Sequence, residues 1–485
     1  MTLTIILLYF AIVLGIGWAS HRLFTGTGED YFLATRSIGP FLLLASLFGT
    51  HMTAFALLGS SGEAYRKGVG VFALMASSSA FVAPLIFFFL GTRMWSVGKK
   101  HSFMTQSQFF RERWESDLVG ILTFVLLVIL LIPYILIGVM GGGITLNQIT
   151  QGTIPEWVGS LLVCTVVLMY VTYSGLRGTA WANAFQTIVF MILGALTFLV
   201  VVNSMGGLGE AMRRLQAEHP EMLTLGGQIP FAKLLSYTLI PLSAGMFPHI
   251  FMHWLTARKM STFRRSIVLY PLCVTAVWIP TVLLGMFGRL EFPGLEGPAA
   301  NSVLVQLIDK HAPTALAGLL AAGVFAAIMS SLDSQILSLG TMFTQDIVRH
   351  LAYHDRMTEK HQVLAGRLFV VGILTGIFIL SRYTSRSIFS LGVWSFSGFA
   401  ALLPVLIAAL YWKRSTRVGA LCSIATVAVL WLYFFFDASG NPDYSLGGSG
   451  LMPVVPMVVA SSLMMGLGSM LSTAPDAKKV ARFFP

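Results

Sequence analysis

Long apolar segments alternate with short polar loops along almost the whole chain. An apolar stretch of roughly 20 residues can cross a bilayer as a helix, because the helix satisfies its own backbone hydrogen bonds. The pattern predicts about thirteen such helices. They cover residues 2–20, 38–63, 69–97, 117–146, 155–174, 183–206, 233–256, 265–288, 313–345, 364–382, 385–412, 417–436 and 450–473. The sequence therefore predicts an all-α polytopic membrane protein.

Two of these segments contain residues that weaken a continuous helix. Residues 46–53 are mostly small or polar, and the segment 233–256 contains Pro241, Gly245 and Pro248. Interrupted backbone at membrane depth is tolerated only where it lines a cavity or is covered by protein. The two interruptions lie five helices apart, which is typical of a five-helix unit that occurs twice with inverted topology. Ordinary proline and glycine kinks are the alternative interpretation.

The repeat hypothesis divides the chain into four parts. Residues 1–37 form an extra N-terminal helix and loop, and residues 38–206 form the first five-helix repeat. Residues 233–412 form the second repeat, and residues 413–485 form two C-terminal helices and a short tail. The first segment lacks a basic leader and a small-residue cleavage site, so we expect it to be a retained helix and not a signal peptide.

Composition and charge support a membrane location. The chain is 56% hydrophobic and 11% charged, whereas soluble domains are about 25% charged. Its net charge of +11 lies mainly in alternate loops, so the positive-inside rule predicts an external N-terminus and a cytoplasmic C-terminus in the cell inner (plasma) membrane. We therefore expect membrane lipid and a small solute as partners, not nucleic acid, and no required oligomer. No HExxH, GxSxG or P-loop motif indicates an enzyme.

Three motifs resemble signatures of the sodium:solute symporter family. Residues 175–186 read Gly-Leu-Arg-Gly-Thr-Ala-Trp-Ala-Asn-Ala-Phe-Gln, residues 321–335 contain the family's Ala-x-Met-Ser-Ser pattern, and residues 341–347 resemble the end of the same helix. The resemblance covers roughly residues 30–410. It implies the leucine-transporter type fold and sodium-coupled symport of a small organic solute by alternating access. A proton-coupled carrier of the same fold and a membrane-embedded solute sensor remain alternatives.

The resemblance also implies a Na⁺ site. Na⁺ is a hard cation that prefers oxygen ligands, as Ca²⁺ and Mg²⁺ do. The family counterparts of Ser330 and Ser331 supply hydroxyl oxygens, and those of Gly49, Met52 and Ala327 supply carbonyl oxygens. The alternative is that both serines bond to their own helix or to a neighbouring one. Na⁺ is the only ion we expect at these residues, and no transition metal.

A second ion site is suggested by a departure from the family pattern. Many members carry aspartate where this chain has Asn183, whereas this chain carries Asp333 three residues after Ser330, on the same helix face. An intramembrane carboxylate is costly and indicates a functional site. We hypothesise that the carboxylate has moved across a site formed by Asn183, Asp333 and Ser334. Asp333 then binds a second Na⁺, takes a proton or tunes the first site; a hydrogen bond to Asn183 without any ion is the alternative.

The solute is predicted to meet residues at the two interruptions. Relatives place solute or gate residues at the first interruption, where His51 lies between Thr50 and Thr53. We expect His249, after the second interruption, and Trp394 to complete the pocket; a histidine that only makes hydrogen bonds inside the protein is the alternative. Sugar-transporting relatives carry glutamine where this chain has Ala56, and residues 247–249 look closer to the pantothenate and monocarboxylate branches. The N-termini of interrupted helices also favour anionic groups. The resemblance therefore favours a small carboxylate or an amino acid.

Overall fold

The computed structural model describes residues 1–21, 37–225, 229–352, 358–438, 441 and 443–484. These residues are mostly helical and form no β-strand, which confirms the predicted all-α class. The predicted first inward loop, 22–36, lies outside them. The helices are α1 Thr2–His21, α2 Pro40–His51, α3 Phe55–Lys67, α4 Gly70–His101, α5 Gln106–Trp114, α6 Asp117–Ile149, α7 Glu156–Thr172, α8 Gly178–Ser204, α9 Leu208–Glu218, α10 Phe231–Gly245, α11 Pro248–Thr256, α12 Phe263–Glu291, α13 Val303–His311, α14 Thr314–Met342, α15 Glu359–Ser381, α16 Ile388–Tyr411, α17 Arg417–Asp437, α18 Val454–Met470 and α19 Ala477–Ala481.

The predicted membrane segments correspond to these helices. Among the described residues, nine helices are long and apolar enough to cross a bilayer, and two bent pairs satisfy the same requirement together. The shorter apolar helices α7 and α18 match the remaining predicted segments, 155–174 and 450–473. Every apolar segment identified in the sequence is therefore helical over most of its length.

Both predicted interruptions are present. α2 and α3 meet at an angle of 56°, and α10 and α11 meet at 50°. Met52 follows α2 with extended backbone angles, φ −85° and ψ 111°. Phe247 is also extended, at φ −64° and ψ 121°, as expected for a residue that precedes a proline. Each bend leaves backbone groups without helical hydrogen-bond partners in the middle of a membrane segment.

α7 and α8 are joined by a kink at the boundary between the predicted segments 155–174 and 183–206. Gly175 lies in this kink, with φ 59° and ψ −166°. Glycine adopts this left-handed backbone region without the steric penalty that a side chain would bring. α8 begins at Gly178, five residues before the predicted start at residue 183, because the residues after Gly175 return directly to helical geometry.

The two most enclosed helices carry the candidate site. The segment Thr314–His350, which begins with α14, and the helix α16 are each 83% buried in their most apolar portion, against 22% for α15. α14 packs against α8, α6, α1 and α2. α14 therefore lies at the centre of the molecule, while α15 faces the surrounding lipid.

The two ends of the molecule are joined by different contacts. At one end, the Ile38 amide donates to the Thr256 carbonyl at 3.1 Å, and the Ile38 carbonyl accepts from the Arg258 amide at 3.0 Å. The Trp95 indole donates to the Ala257 carbonyl at 2.7 Å. These bonds connect α2, α11 and α4 at one end, which we call the Ile38 side. The opposite end, where α3 finishes, is the Lys67 side.

Candidate ion and solute site

The end of α2 supplies the first oxygens of the candidate ion site. A helix leaves its last four carbonyl groups without intrahelical partners. α2 ends at His51, where the extended conformation of Met52 stops the next helical turn. Gly49 and Met52 are both buried, so water does not satisfy these carbonyls at the surface. The interruption thus places backbone acceptors inside the protein, as the sequence predicts.

α14 provides hydroxyl groups to the same place. The Ser330 hydroxyl lies 2.8 Å from the Gly49 carbonyl and 3.0 Å from the Ala327 carbonyl. The Ser331 hydroxyl donates to its own helix, at the Ile328 carbonyl, 3.1 Å away. Ser330 therefore bonds to its own helix and joins it to α2, and Ser331 bonds to its own helix alone. Both serines make the kind of bond given as the alternative, while Ser330 also brings a hydroxyl oxygen next to the free carbonyl of Gly49.

These donors suit a hard cation. Gly49, Ala327, Ser330 and Ser331 are buried and offer only neutral oxygens. Two oxygens 2.8 Å apart can both contact one ion at the distances of about 2.3–2.6 Å that Ca²⁺, an ion of similar radius to Na⁺, adopts in proteins. The described residues include no group of three or more His, Cys, Asp or Glu that could hold a metal. Neutral oxygen donors of this kind are compatible with an alkali cation.

Gly49 is held against α8 by close packing. A Cβ atom at this position would overlap the Thr187 hydroxyl and approach the Asn183 carbonyl to 3.2 Å. Thr187 in turn donates to the Ala45 carbonyl at 3.0 Å. Thr187 was not among the predicted site residues, because a threonine in an apolar segment gives no distinctive signal. Here it occupies the space that an alanine side chain at residue 49 would need.

A buried polar cluster surrounds Asp333. The Tyr170 hydroxyl donates to Asp333 Oδ2 at 2.9 Å, and the Ser334 hydroxyl donates to Oδ1 at 3.1 Å. Asn183 Nδ2 donates to the Ser334 hydroxyl at 2.8 Å, and His253 Nε2 lies 3.3 Å from the same oxygen. The structure thus brings together the three predicted residues, with Ser334 linking Asp333 to Asn183.

Further polar groups lie beside Asp333. Asn183 Oδ1 has no hydrogen-bond partner among the described residues, while the Gln186 side chain lies within reach of the hydroxyls of Tyr9 and Tyr170. All of these side chains are buried. Buried polar groups are normally hydrogen-bonded, so Asn183 Oδ1 stands out as an acceptor with unused capacity. Tyr9, Tyr170 and Gln186 were not predicted, since only the three-dimensional packing of α1, α7 and α8 brings them to Asp333.

The histidines of the two interruptions lie among aromatic rings. His51 Nδ1 bonds to the Tyr270 hydroxyl, and the His51 ring centroid is 5.9 Å from that of Phe247. His249 stacks on Phe247 at 5.2 Å and lies 5.6 Å from Tyr134. The structure therefore brings His51 and His249 into contact with the same Phe247 ring, as expected for two interruptions that face one pathway.

This aromatic group also contains polar atoms. Both ring nitrogens of His249 have no partner within the described chain, and the Tyr134 hydroxyl lies within reach of the Gln335 amide. Thr53, beside the first interruption, has a structural role, because its hydroxyl accepts from the Phe55 amide at 2.9 Å and so begins α3. The Thr50 hydroxyl, on the preceding helix, makes no such bond among the described residues.

Trp394 lies closer to the Lys67 side than the histidines' aromatic group. Its carbonyl accepts from the Trp431 indole at 2.8 Å, and its ring lies 6.2 Å from that of Tyr444. From the same helix, Phe396 reaches Phe247 at 5.5 Å. Phe396 was not predicted, because one helix offers several aromatic residues and the sequence does not reveal their rotation.

Comparison with known proteins identifies the family. The sequence model of the sodium:solute symporter family matches residues 31–426. The sodium/pantothenate symporter of Escherichia coli is 26% identical over 96% of this chain and 95% of its own length. The sodium/proline symporter of the same organism is 24% identical over 96% of this chain and 92% of its own length.

Solved structures share the fold. A Na⁺-coupled sialic acid symporter in a substrate-bound outward-open state superposes with a TM-score of 0.78, at 15% identity over 98% of both chains. A nucleobase-cation-symport-1 family transporter, in a closed conformation with bromovinylhydantoin bound, gives a TM-score of 0.59 at 13% identity over 94% of this chain and 99% of that one. These likenesses confirm the leucine-transporter type fold. With the motifs at residues 175–186 and 321–335 and a family match that covers most of the chain, this protein belongs to the sodium:solute symporter family.

Proposed function

We propose that this sodium symporter imports a small carboxylate or amino acid and binds its driving ion at Gly49, Met52, Ala327, Ser330 and Ser331. The observation that carries the proposal is the hydrogen bond of 2.8 Å between Ser330 and the Gly49 carbonyl. It joins the interrupted helix α2 to the central helix α14 through two oxygens that suit Na⁺.

A Na⁺ ion at this position couples ion binding to solute binding. An ion shared by α2 and α14 stabilises the arrangement in which both helices are close, and α2 carries Thr50 and His51 towards the solute. A solute that binds this arrangement more tightly than others shifts the population towards it. The inward Na⁺ gradient then drives uptake, assisted by the membrane potential at about 2.3 kcal/mol per charge per 100 mV.

The polar groups in the aromatic pocket support a carboxylate or amino acid solute. His249 offers unsatisfied ring nitrogens beside the rings of Phe247 and Tyr134, and Thr50 offers an unsatisfied hydroxyl next to His51 in the sequence. Apolar walls with a few polar groups that fix orientation are typical of small-molecule sites. The E. coli relatives are symporters of pantothenate, a carboxylate, and of proline, an amino acid. We therefore take pantothenate and proline as the first solutes to test.

The cluster around Asp333 is the proposed second ion site. Asp333 and Ser334 offer anionic and hydroxyl oxygens, and Asn183 has an unsatisfied carbonyl oxygen. A cation bound among them would compensate a carboxylate that is otherwise costly inside a membrane protein. The site lies one helical turn beyond Ser330 on α14, so two ions could act on the same helix.

We also propose that the Lys67 side faces the outside of the cell. Lys99 and Lys100 end α4 on the Ile38 side, and Arg258 and Lys259 follow α11 there. Basic residues of this kind are enriched on the cytoplasmic side of membrane proteins. This orientation gives an external N-terminus and a cytoplasmic C-terminus in the plasma membrane.

Uptake by purified protein in proteoliposomes tests the proposal. We expect labelled pantothenate or proline to accumulate with an inward Na⁺ gradient and to stop when choline replaces Na⁺. Accumulation that instead follows an inward pH gradient without Na⁺ would favour a proton-coupled carrier. Binding of either solute without any accumulation would favour a sensor.

A further inference from the structure

Three cations converge on one carboxylate at the Lys67 side. Lys67 Nζ lies 2.6 Å and Lys233 Nζ 3.1 Å from Asp443 Oδ1. Arg66 Nη2 lies 3.3 Å from Asp443 Oδ2, and Arg66 Nη1 lies 3.1 Å from Glu63. Such charge-assisted hydrogen bonds are among the stronger ones in proteins. Without Asp443, the remaining four residues would carry a net charge of +2.

The cations and the carboxylate belong to different parts of the fold. Arg66 and Lys67 end α3, and Lys233 lies near the start of α10, so the cations come from the two interrupted helices. Asp443 comes from the loop between α17 and α18 and is 40% exposed, whereas the Lys67 and Lys233 side chains are 15% and 10% exposed. Separation of the loop would therefore leave a covered cationic site that has lost its anion.

A small cavity with a mainly apolar lining lies beside Lys233. The apolar side chains that line it include Phe389, Val393 and Trp394, and the hydroxyl groups come from Ser390, Ser397 and Tyr444.

Phe389 connects the cavity to the aromatic rings deeper in the protein. It stacks on Phe55 at 5.3 Å, and Phe55 contacts Phe396 at 4.9 Å. Phe396 belongs to the aromatic group around His249 through Phe247. A continuous path of side-chain contacts therefore leads from the cations, past the cavity, to the aromatic group around His249.

We propose that Arg66, Lys67 and Lys233 form a carboxylate-receiving site at the outer end of this path, which Asp443 fills when the outer end is closed. The inference rests on the proposed function, namely on an anionic solute and on the orientation of the Lys67 side. Opening of the outer end separates α3 and α10 from the loop, and the solute carboxylate takes the place of Asp443. Asp443 is thus an internal competitor that releases the solute inward when the path closes again.

Asp443 stays charged throughout the physiological pH range. Partial burial raises the pKa of this carboxyl group, but the hydrogen bond from Lys67 and the charges of Lys233 and Lys67 outweigh that effect and bring the pKa to about 2. Protonation therefore does not release the loop near neutral pH. Another anion can take the place of the Asp443 carboxylate, or separation of the helices can break its contacts with the lysines.

Charged thiol reagents can test the site without knowledge of the solute. In purified Asp443→Cys protein, we expect the anionic reagent methanethiosulfonate ethylsulfonate to react faster than its cationic trimethylammonium analogue. The ratio of the two rates should exceed that of the exposed control Ser449→Cys by about tenfold, since two lysines beside the thiol attract the anion. Parent protein gives the background from the native cysteines.

The lysines provide the decisive comparison. Adding Lys67→Gln and Lys233→Gln to the Asp443→Cys variant should return the rate ratio to that of the control. A ratio that already equals the control with both lysines present, or one that the two substitutions leave unchanged, overturns the proposal. The rate ratio also cancels any general change in thiol reactivity or local exposure.

Uptake links the site to transport. Asp443→Asn should lower the pantothenate concentration for half-maximal uptake several-fold. Panthenol, the neutral alcohol analogue of pantothenate, should inhibit uptake at the same concentration in the variant as in the parent protein. Equal effects on both compounds would contradict a site for the carboxylate. Absence of any sodium-driven uptake by the parent protein would instead reject the proposed function, while the reagent ratio would still decide whether the cationic site exists.

Discussion

Ser330 makes the contact on which the proposed ion site depends. Replacing Ser330 and Ser331 together with alanine removes two hydroxyl oxygens. We expect the Na⁺ concentration for half-maximal uptake to rise at least tenfold, which corresponds to about 1.4 kcal/mol of lost ion binding. Sodium titration of uptake in proteoliposomes measures this change.

Ser338→Ala is the matched control for the serine pair. Ser338 is also buried on α14, but its hydroxyl donates to the Gln335 carbonyl at 2.7 Å, within its own helix. Its Na⁺ dependence should equal that of the parent protein. A double serine variant with unchanged Na⁺ dependence would show that the ion binds elsewhere.

Gly49 and Thr187 give a prediction about packing. Gly49→Ala places a methyl group against the Thr187 hydroxyl, and overpacking of this kind costs about 1–3 kcal/mol. Thr187→Ala alone loses one hydrogen bond to Ala45, worth about 1 kcal/mol. We expect the melting temperature of the double variant to fall less than the sum of the single decreases. Gly194→Ala is the control: its methyl group meets open space on α8, the helix of Thr187, and should leave the melting temperature almost unchanged. Strictly additive decreases would disprove the contact between residues 49 and 187.

The carboxylate swap gives a prediction about coupling. Asp333→Asn should change the ion dependence of uptake more than the apparent solute affinity. If the site needs one carboxylate on either helix, adding Asn183→Asp should restore part of the activity, because Ser334 connects both positions. Neighbouring residues are typically non-additive by about 0.5–3 kcal/mol. A double-mutant cycle on Na⁺-driven uptake, corrected for the amount of inserted protein, measures this term; additive losses would mean that the two positions do not share a site.

Residues with distinctive motifs could be predicted, and their neighbours could not. Ser330 stands out as one of two adjacent hydroxyl residues in an apolar helix, and Gly49 stands out inside an interruption. Tyr170 and Thr187 occur in segments where such residues usually pack against other helices. Their contacts depend on how α7 and α8 are rotated against α14 and α2, and hydrophobic periodicity alone does not define that rotation.

Interrupted helices could be located from the sequence because proline and clustered small residues have a known effect on backbone hydrogen bonding. The sequence predicts the boundary between the segments 155–174 and 183–206, but not the positive φ of Gly175 at that boundary, since a single glycine in a membrane helix is common and only the backbone angles show this conformation. The exact start of α8 followed from that conformation. The sequence therefore predicts the breaks that proline or clustered small residues cause, but not the backbone angles of a single glycine.

The backbone clasp on the Ile38 side can be tested directly. Ile38→Pro removes the amide that donates to Thr256, whereas Ile38→Ala keeps it and loses only the side chain. One backbone hydrogen bond is worth about 1 kcal/mol, so we expect amide exchange in α11 to quicken about fivefold in the proline variant relative to the alanine variant. Hydrogen–deuterium exchange of peptides covering residues 248–258 measures the difference. Equal exchange in both variants would show that the clasp does not stabilise this end.

The whole molecule combines two closed ends with one central helix. Contacts join the interrupted helices on both the Ile38 side and the Lys67 side, so one end must separate before a solute can enter or leave. α14 meets both sets of interruptions, through Ser330 at α2 and through Ser334 beside His253 of α11. A change at either proposed ion site would therefore act on both α2 and α11.

This arrangement predicts reciprocal coupling between sodium and solute. If Na⁺ raises the affinity for pantothenate or proline by a given factor, linkage requires that the solute raise the affinity for Na⁺ by the same factor. Thermal denaturation can measure both, because a ligand at a hundredfold excess over its dissociation constant stabilises the folded protein by about 2.7 kcal/mol. We expect the solute to stabilise the parent protein more in Na⁺ than in choline, and the Ser330→Ala, Ser331→Ala variant to lose most of that difference. A solute effect that is equal in both salts would mean that binding is not coupled to sodium, and that the contact between α2 and α14 serves stability alone.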